Sequence, residues 1–457
     1  MRRAPDGARI SHIAAGTGAL PRAGAFLSVF LAACAGPSQG STRTLHAMLA
    51  RGDYDRAEAH LRAVKEEEYG RKNAVLYNLD LAMVLHDAGK YKDSDHLFDK
   101  AESRMEELYT KSAHQAAGTL LLNDNTMEYA GLPFERALTN AFRAMNYVFL
   151  GLPDEALVES RKAELFLDEL ARSRAQRLAY KDDAFVRYLD SLLYEEAGKD
   201  DDARISRQAS ERAYAAYQRL YGTAPPRFDI SSDPRKSGEL VLLHYAGVAP
   251  RKVSHEYQIA WNEAAAAVNA GRPNDTDPES YRRARNAIAA GLFGRALTVA
   301  FPAYVQDPYA VSGSRLEAGG EAADSVLMED VSAIAQRELQ DRVALVRTRA
   351  IARAAIKYAL ANAAAAEMER KQDSKVAGWL TRAVLNAAAA ATEVADTRAW
   401  ASVPAQIRMA RLRLAPGSYE VKAIFTDQGG RQVSERLFPN VEIRAGHRTY
   451  LECRTAS

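Results

Sequence analysis

Between residues 45 and 221 the apolar positions recur at helical spacing, and glycine interrupts them. Leu76, Leu79, Leu81, Ala82 and Leu85 form one such stripe. Three segments share a pattern: an apolar helix, a glycine turn, then a second helix with a small residue five positions after the glycine. They are Gly52-Asp53-Tyr54 with Ala57, Gly89-Lys90-Tyr91 with Ser94, and Gly151-Leu152-Pro153 with Ala156. Gly198-Lys199-Asp200 with Ala203 is a weaker fourth copy. Each glycine is expected to end a helix at positive φ, and each small residue to let two helices approach closely.

The second half changes period. Residues 222–238 hold Gly222, Pro225, Pro226 and Pro234, a linker composition that predicts a boundary between two folding units. Leu240–Tyr245 is a continuous apolar run, short enough for a buried strand. Arg295–Ala303 reads as another strand, while 253–292 fits no single pattern. Residues 321–371 predict one long helix, from the spacing of Val326, Met328, Val331, Ile334, Leu339, Val343, Val346, Ile351 and Ile356. Thr348, Ala352, Ala355 and Ala359 offer a small-residue packing seam on it. The last 55 residues alternate with strand period: Tyr419, Val421, Ala423 and Phe425, a turn at Asp427-Gln428-Gly429-Gly430, then a return. Ile407 and Met409 share one phase and Ala410, Leu412 and Leu414 the other, which predicts a bulge between them. The strands near 240 and 297 are expected to join this C-terminal sheet.

The glycine-turn segments resemble the tetratricopeptide (TPR) family, whose repeat is about 34 residues. The likeness is best in the first two copies. The Leu-Ala-Pro-Gly-Ser-Tyr-Glu-Val stretch at 414–421 resembles small immunoglobulin-like β-sandwich modules of envelope proteins. A further resemblance is to an uncharacterised family of bacterial outer-membrane lipoproteins with TPR-like repeats. It is carried by residues 123–136 with Asn140 and Asn146-Tyr147, by 238–243 and 247–252, by Phe301-Pro302-Ala303-Tyr304, and by Asp396-Thr397-Arg398-Ala399-Trp400 with Pro404. That family implies an address and an architecture but no reaction. The expected fold class is therefore mostly α with a β module. An N-terminal TPR-like helical solenoid (45–221) and a linker (222–238) precede a C-terminal α+β domain (239–457), which carries long inserted helices and a small β-sandwich-like sheet at about 405–455.

The N-terminal leader supplies the address. Arg2, Arg3, Arg9 and Arg22 flank Asp6 and precede the apolar run 23–30, after which comes Leu31-Ala32-Ala33-Cys34. A basic region, a short apolar core and small residues before the cut make a secretory signal peptide over 1–33. The run is too short to span a bilayer. Leu-Ala-Ala-Cys resembles the bacterial lipobox, which implies palmitate and further acylation on Cys34. No Asp follows at the inner-membrane retention position, so the expected address is the outer membrane, facing the periplasm. Residues 34–44 then read as a tether. The whole chain has 61 basic and 59 acidic residues. The leader's four Arg and one Asp account for +3, leaving the rest near −1. No basic excess calls for nucleic acid. With Cys34 lipidated, Cys453 is left without an intrachain disulfide partner.

Few residues suggest chemistry. Gly36-Pro37-Ser38-Gln39-Gly40 has the Gly-x-Ser-x-Gly spacing but falls in the tether, and no phosphate-cradling glycine loop or zinc-protease helix occurs in the sequence after Cys34. His86 and His96 read as repeat surface, His244 as a buried hydrogen-bonded imidazole, and Lys357 as solvated. Asn140, Arg143, Asn146 and Tyr147 are the candidate partner-binding residues, on a helix lining the solenoid groove near Glu128, Tyr129, Glu135 and Arg136. Asp396, Arg398 and Trp400 are expected to fix a structural junction, with Arg398 bridging Asp396 or Glu393. No cofactor, metal or catalytic residue is expected. The functional expectation is a non-enzymatic scaffold that binds envelope proteins through its helical repeats and the membrane through lipid at Cys34. The alternative is a cell-envelope hydrolase with its site in 239–457.

Overall fold

A computed structural model describes residues 36–114, 127–172, 179–228, 236–260, 296–372 and 395–457, with isolated positions between 262 and 282. Cys34, the Ala-rich run 383–391, Glu393 and the Lys357 side chain lie outside the described residues. Among the described residues no helix is long and apolar enough to cross a membrane.

Eight helices come first: α1 (Gln39–Ala50), α2 (Tyr54–Ala63), α3 (Ala74–Asp87), α4 (Tyr91–His114), α5 (Pro133–Phe149), α6 (Pro153–Arg172), α7 (Ala184–Glu196) and α8 (Asp200–Leu220). Each packs on the next, and α3, α5 and α7 also pack on one another in order. The expected grammar is present at all four turns. Gly52, Gly89, Gly151 and Gly198 have φ of +66°, +74°, +71° and +67°. At Gly89 the glycine N–H donates to the His86 carbonyl and the next N–H, of Lys90, reaches back to Leu85. The same pair of bonds recurs at Gly52, Gly151 and Gly198, and it satisfies carbonyls the helix end leaves open. The small residues five positions on, Ala57, Ser94, Ala156 and Ala203, are all buried.

The expected tether is shorter than 34–44. The Ser38 hydroxyl caps α1 by accepting from the Ser41 N–H, and Thr42, Leu45 and Leu49 are already buried. Helix-compatible residues here find an apolar surface to cover, so the helix starts at Gln39.

The strands are β1 (Gly238–Ala246), β2 (Arg251–Ala260), β3 (Ala296–Val305), β4 (Gly313–Ala318), β5 (Glu321–Asp324), β6 (Val326–Asp330), β7 (Gln406–Leu414), β8 (Gly417–Thr426), β9 (Gln432–Ile443) and β10 (Arg448–Thr455). One sheet has the order β10-β1-β7-β6, the other β5-β4-β8-β9. β1 runs parallel to β10 and antiparallel to β7.

These elements form layers. Leu240 and Leu242 of β1 pack with Leu316, Val421, Ala423 and Phe425 of the second sheet. Val241, Leu243 and Tyr245 of the same strand join a core with Leu76, Leu79, Phe142 and Leu189 of the helices. Burial on both faces is why Leu240–Leu243 of β1 are apolar without alternation. It also accounts for the phase change in β7. Ile407 and Met409 face the helices, while Ala410, Leu412 and Leu414 face the second sheet. β7 keeps unbroken register with β1, so the expected bulge is not there. The irregularity lies in the partner strand β6, between Leu327 and Glu329.

Three further expectations change. The helix predicted over 321–371 begins at Val331, as α9 (Val331–Gln372), because Val326 and Met328 are spent on β6. The strand near 297 does not join the C-terminal sheet. Among the described residues β3 pairs with β2 alone, and this hairpin packs through Leu297, Val299 and Phe301 against Ala352, Ala355 and Ile356 of α9. Finally, Ala35–Ser457 is one compact unit whose helices and first sheet share a core, not two units divided at 222–238.

Candidate functional site

Three of the four proposed groove residues are not at a surface, and Tyr147 is half-buried. Asn140, Arg143 and Asn146 are buried on α5. Arg143 sits among carboxylates of α4 and α6: Asp95 at 2.8 Å, Asp99 at 3.1 Å, Glu159 at 3.3 Å, and Glu102 in contact. The Asn140 amide donates to Glu102 at 2.8 Å and Glu159 at 3.2 Å. The Tyr147 hydroxyl donates to Asp95 at 2.8 Å. Burial pushes the Glu102 carboxyl up, but the Asn140 bond and Arg143 outweigh it and hold it below the usual range. For Glu159 burial wins and the carboxyl sits above its usual range. The four residues fasten α4, α5 and α6 together. The groove prediction fails because α4 and α6 close over this face of α5, with Asp95, Glu102 and Glu159 taking up its polar groups.

Asn146 leads to His86, which is in the core and not on the repeat surface. The Asn146 amide donates to Ser94 Oγ at 3.0 Å, and its oxygen meets His86 Nδ1 at 2.7 Å. His86 Nε2 lies 2.9 Å from Glu452 on β10. Burial pulls this imidazole down, but the Glu452 charge and hydrogen bond outweigh it, so His86 titrates above its ordinary value. His244 is buried as expected, with Nε2 2.7 Å from the Thr455 hydroxyl. Burial, reinforced by Arg408 and Arg454, brings it down to about 3.

Arg398 grips Asp396 with two bonds, Nε–Oδ1 at 2.9 Å and Nη2–Oδ2 at 2.8 Å. Its Nη1 donates to the Met127 carbonyl at 2.7 Å. The Trp400 ring is edge-on to Phe98 and Phe142, each with centroids 5.9 Å away; its ring N–H donates to the Ser402 hydroxyl at 3.0 Å, and the Trp400 backbone N–H donates to Glu135 at 3.2 Å. Two residues on, Ser402 donates its N–H and its hydroxyl to Asp80 Oδ1, at 2.8 and 3.0 Å, while the Tyr69 hydroxyl serves Oδ2 at 2.8 Å. Burial raises Asp80 to about 6. The junction therefore clasps 395–405 onto α3 and α5, more than 250 residues back in sequence.

Beside this clasp is a pocket of 140 Å³ that the sequence did not disclose, lined by Tyr129, Lys252, Tyr304, Glu338, Arg342 and Asp396 among others. Lys252 Nζ donates to the Arg398 carbonyl at 2.8 Å and lies 5.5 Å from the Tyr304 ring centre. Burial lowers this ammonium. Glu338 accepts from Arg342 at 2.6 Å through Oε1, while Oε2 has no hydrogen-bond partner. Burial raises Glu338 to about 7. In the sequence Glu338 is one more polar residue on a long amphipathic helix. Nothing local marks it, since the hairpin that buries it is distant.

Among the described residues no cluster of His, Cys, Asp and Glu is arranged to hold a metal ion. Cys453 is a buried free thiol, raised to about 12 by burial. Compared with protein-family models, with curated proteins and with solved structures, the chain matches none, so its own geometry and sequence carry the functional reading.

Proposed function

We propose that the protein is a lipid-anchored scaffold of the cell envelope, facing the periplasm from the outer membrane, which holds protein partners through a TPR-like helical layer and catalyses no reaction. The observation that carries this reading is Leu31-Ala32-Ala33-Cys34 behind a basic and apolar leader, four residues before Ser38 caps the first helix. Four residues reach about 14 Å at full extension, so a partner on the folded body would be held close to the lipid surface. The TPR-like reading is supported by the four repeated glycine turns with their buried small residues. With the inner face covered, the outer face is left for partners. On α6, Val158 and Leu165 lie seven residues apart on one side of the helix, and Leu165 is 71 % exposed.

The test is Cys34→Ala with metabolic palmitate labelling and membrane fractionation, joined to affinity purification from crosslinked envelopes with Leu165→Asp. Label retained on Cys34→Ala would end the anchoring reading. An unchanged set of captured proteins with Leu165→Asp would remove α6 from the partner surface.

One observation favours the alternative, a hydrolase with its site in 239–457. Glu338, raised to about 7, faces a pocket shared with Lys252 and Tyr304, and a carboxyl poised near neutrality suits general acid–base work. Cleavage of peptidoglycan, peptide or ester substrates that disappears in Glu338→Gln would establish it in place of the scaffold.

A further inference from the structure

A second cavity lies where the α3–α4 turn meets β9 and β10. It encloses 390 Å³, within the usual range for a small-molecule site, and is lined by residues from both halves of the chain. Aromatic rings make much of its wall: Tyr54, Tyr91, Phe149, Tyr245, Phe438 and Tyr450. Tyr91 and Phe149 stack at 4.8 Å, which fixes that wall.

Two buried charged groups in the cavity keep polar atoms unmatched. Asp87 and Arg454 line it, and each side chain is only 1 % exposed. Neither Asp87 carboxylate oxygen has a hydrogen-bond partner, and neither do Arg454 Nε and Nη1. The two charges do not close on each other: Arg454 Nη1 stays 3.8 Å from Asp87 Oδ2. Arg454 is held back by its own Nη2, which donates to the Ser402 carbonyl at 3.0 Å. Asp87 is fixed at the end of α3. Glu452, the neighbouring carboxylate, is engaged by the Tyr91 hydroxyl at 3.0 Å and by His86, so it does not compete for the gap. Buried polar groups are costly to leave unmatched. The gap therefore suits a group that accepts from a guanidinium and donates to a carboxylate at once. A hydroxyl does both with one oxygen. The lining carries two acids, Asp87 and Glu452, and two bases, Arg436 and Arg454, and this balance favours a neutral ligand over an ion.

We propose that this cleft binds a neutral sugar unit of a glycan, with its ring against the aromatic wall and adjacent hydroxyls bridging Asp87 and Arg454. The inference is independent of the anchoring and scaffold readings, since it rests on the cleft alone.

The test uses the full chain purified in detergent and a panel of glucose, N-acetylglucosamine, maltose and chitobiose, followed by saturation-transfer NMR and calorimetry. At least one sugar should bind. Asp87→Asn and Arg454→Gln should each weaken it about tenfold or more, the loss expected when a charged hydrogen bond is removed. Phe438→Ala, on the outer strand β9, should weaken it several-fold and keeps the buried charges intact, so the test survives if a charge variant fails to fold. No saturation transfer from any of the four sugars would overturn the proposal, as would a crystal structure with the sugars soaked in that shows only water between Asp87 and Arg454. Binding that all three variants leave unchanged would place the sugar elsewhere and overturn it equally.

Discussion

Replacing Arg143 with Met removes a guanidinium that four carboxylates share. The magnitude follows from which of the four are out of water. Asp99 is half-exposed, and a contact of that kind contributes at most about 1 kcal/mol. Glu102 and Glu159 are buried, and stripping the partner from a buried ion pair costs about 3–5 kcal/mol. Lys162, 3.0 Å from Glu159 and 3.6 Å from Glu102, offsets part of that, so a loss near 3 kcal/mol is expected. The loss should depend on pH. Without the guanidinium, burial leaves both carboxyls above their unfolded values, and the folded state then binds protons before the unfolded state does. Stability of the variant relative to the parent should accordingly rise as pH falls from 7 to 5. Urea melts of both proteins at the two pH values measure this. A difference under about 0.5 kcal/mol at pH 7, the range of ordinary surface substitutions, would refute the buried network and return Arg143 to an exposed groove.

Ala57→Leu and Ala156→Leu put extra methylenes where two helices meet, and each should cost about 1–3 kcal/mol in a thermal or urea melt; unchanged midpoints for both would mean that the helices do not meet at these positions. Asp80→Asn keeps the shape but mismatches one of the Ser402 and Tyr69 donors, for a loss of about 1–3 kcal/mol at pH 7. Because burial raises Asp80 to about 6, the parent gains stability as pH falls through that value while the variant does not. The gap between them should widen from pH 7 to pH 4, and a gap that narrows would show that Asp80 is ionised in the fold throughout.

What the chain revealed by itself was local. A glycine at positive φ and a small residue five positions later are requirements within one helix pair, so Gly52, Gly89, Gly151 and Gly198 announce their turns. β1 announces its burial because Leu240, Val241, Leu242, Leu243 and Tyr245 put apolar side chains on both of its faces. Which layer covers each face was not legible, and the two phases of β7 were therefore read as a bulge instead of two buried faces. The candidate binding residues failed for the same reason. Asn140, Arg143 and Asn146 are polar at the spacing of an exposed helix face, and only the packing of α4 and α6 against α5 reveals that the face is closed. His86 depends on Glu452, Asp80 on Ser402, and Glu338 on the β2–β3 hairpin. No window of the sequence contains both members of any of these. The Asp396–Arg398 clasp was legible because its two ends are two residues apart.

The central place of β1, between the last strand and β7, sets the order in which this molecule can be completed. A ribosome delivers the helical half first, with the inward sides of α3 and α5 facing water until residues 238–246 and 395–455 arrive. Pairing β1 with β10 closes a loop of roughly two hundred residues, and non-local parallel pairing is slow. Throughout that interval the nascent chain presents a sticky inner surface of Leu76, Leu79, Phe142 and Leu189, the kind of intermediate that aggregates unless shielded. A chain truncated before β10 would strand β1 as an open edge and leave His86 without its Glu452 counter-charge. Premature termination near the end should thus be as damaging as termination in the middle, and cells making this protein in quantity should lean on holding chaperones until the final strand slots in.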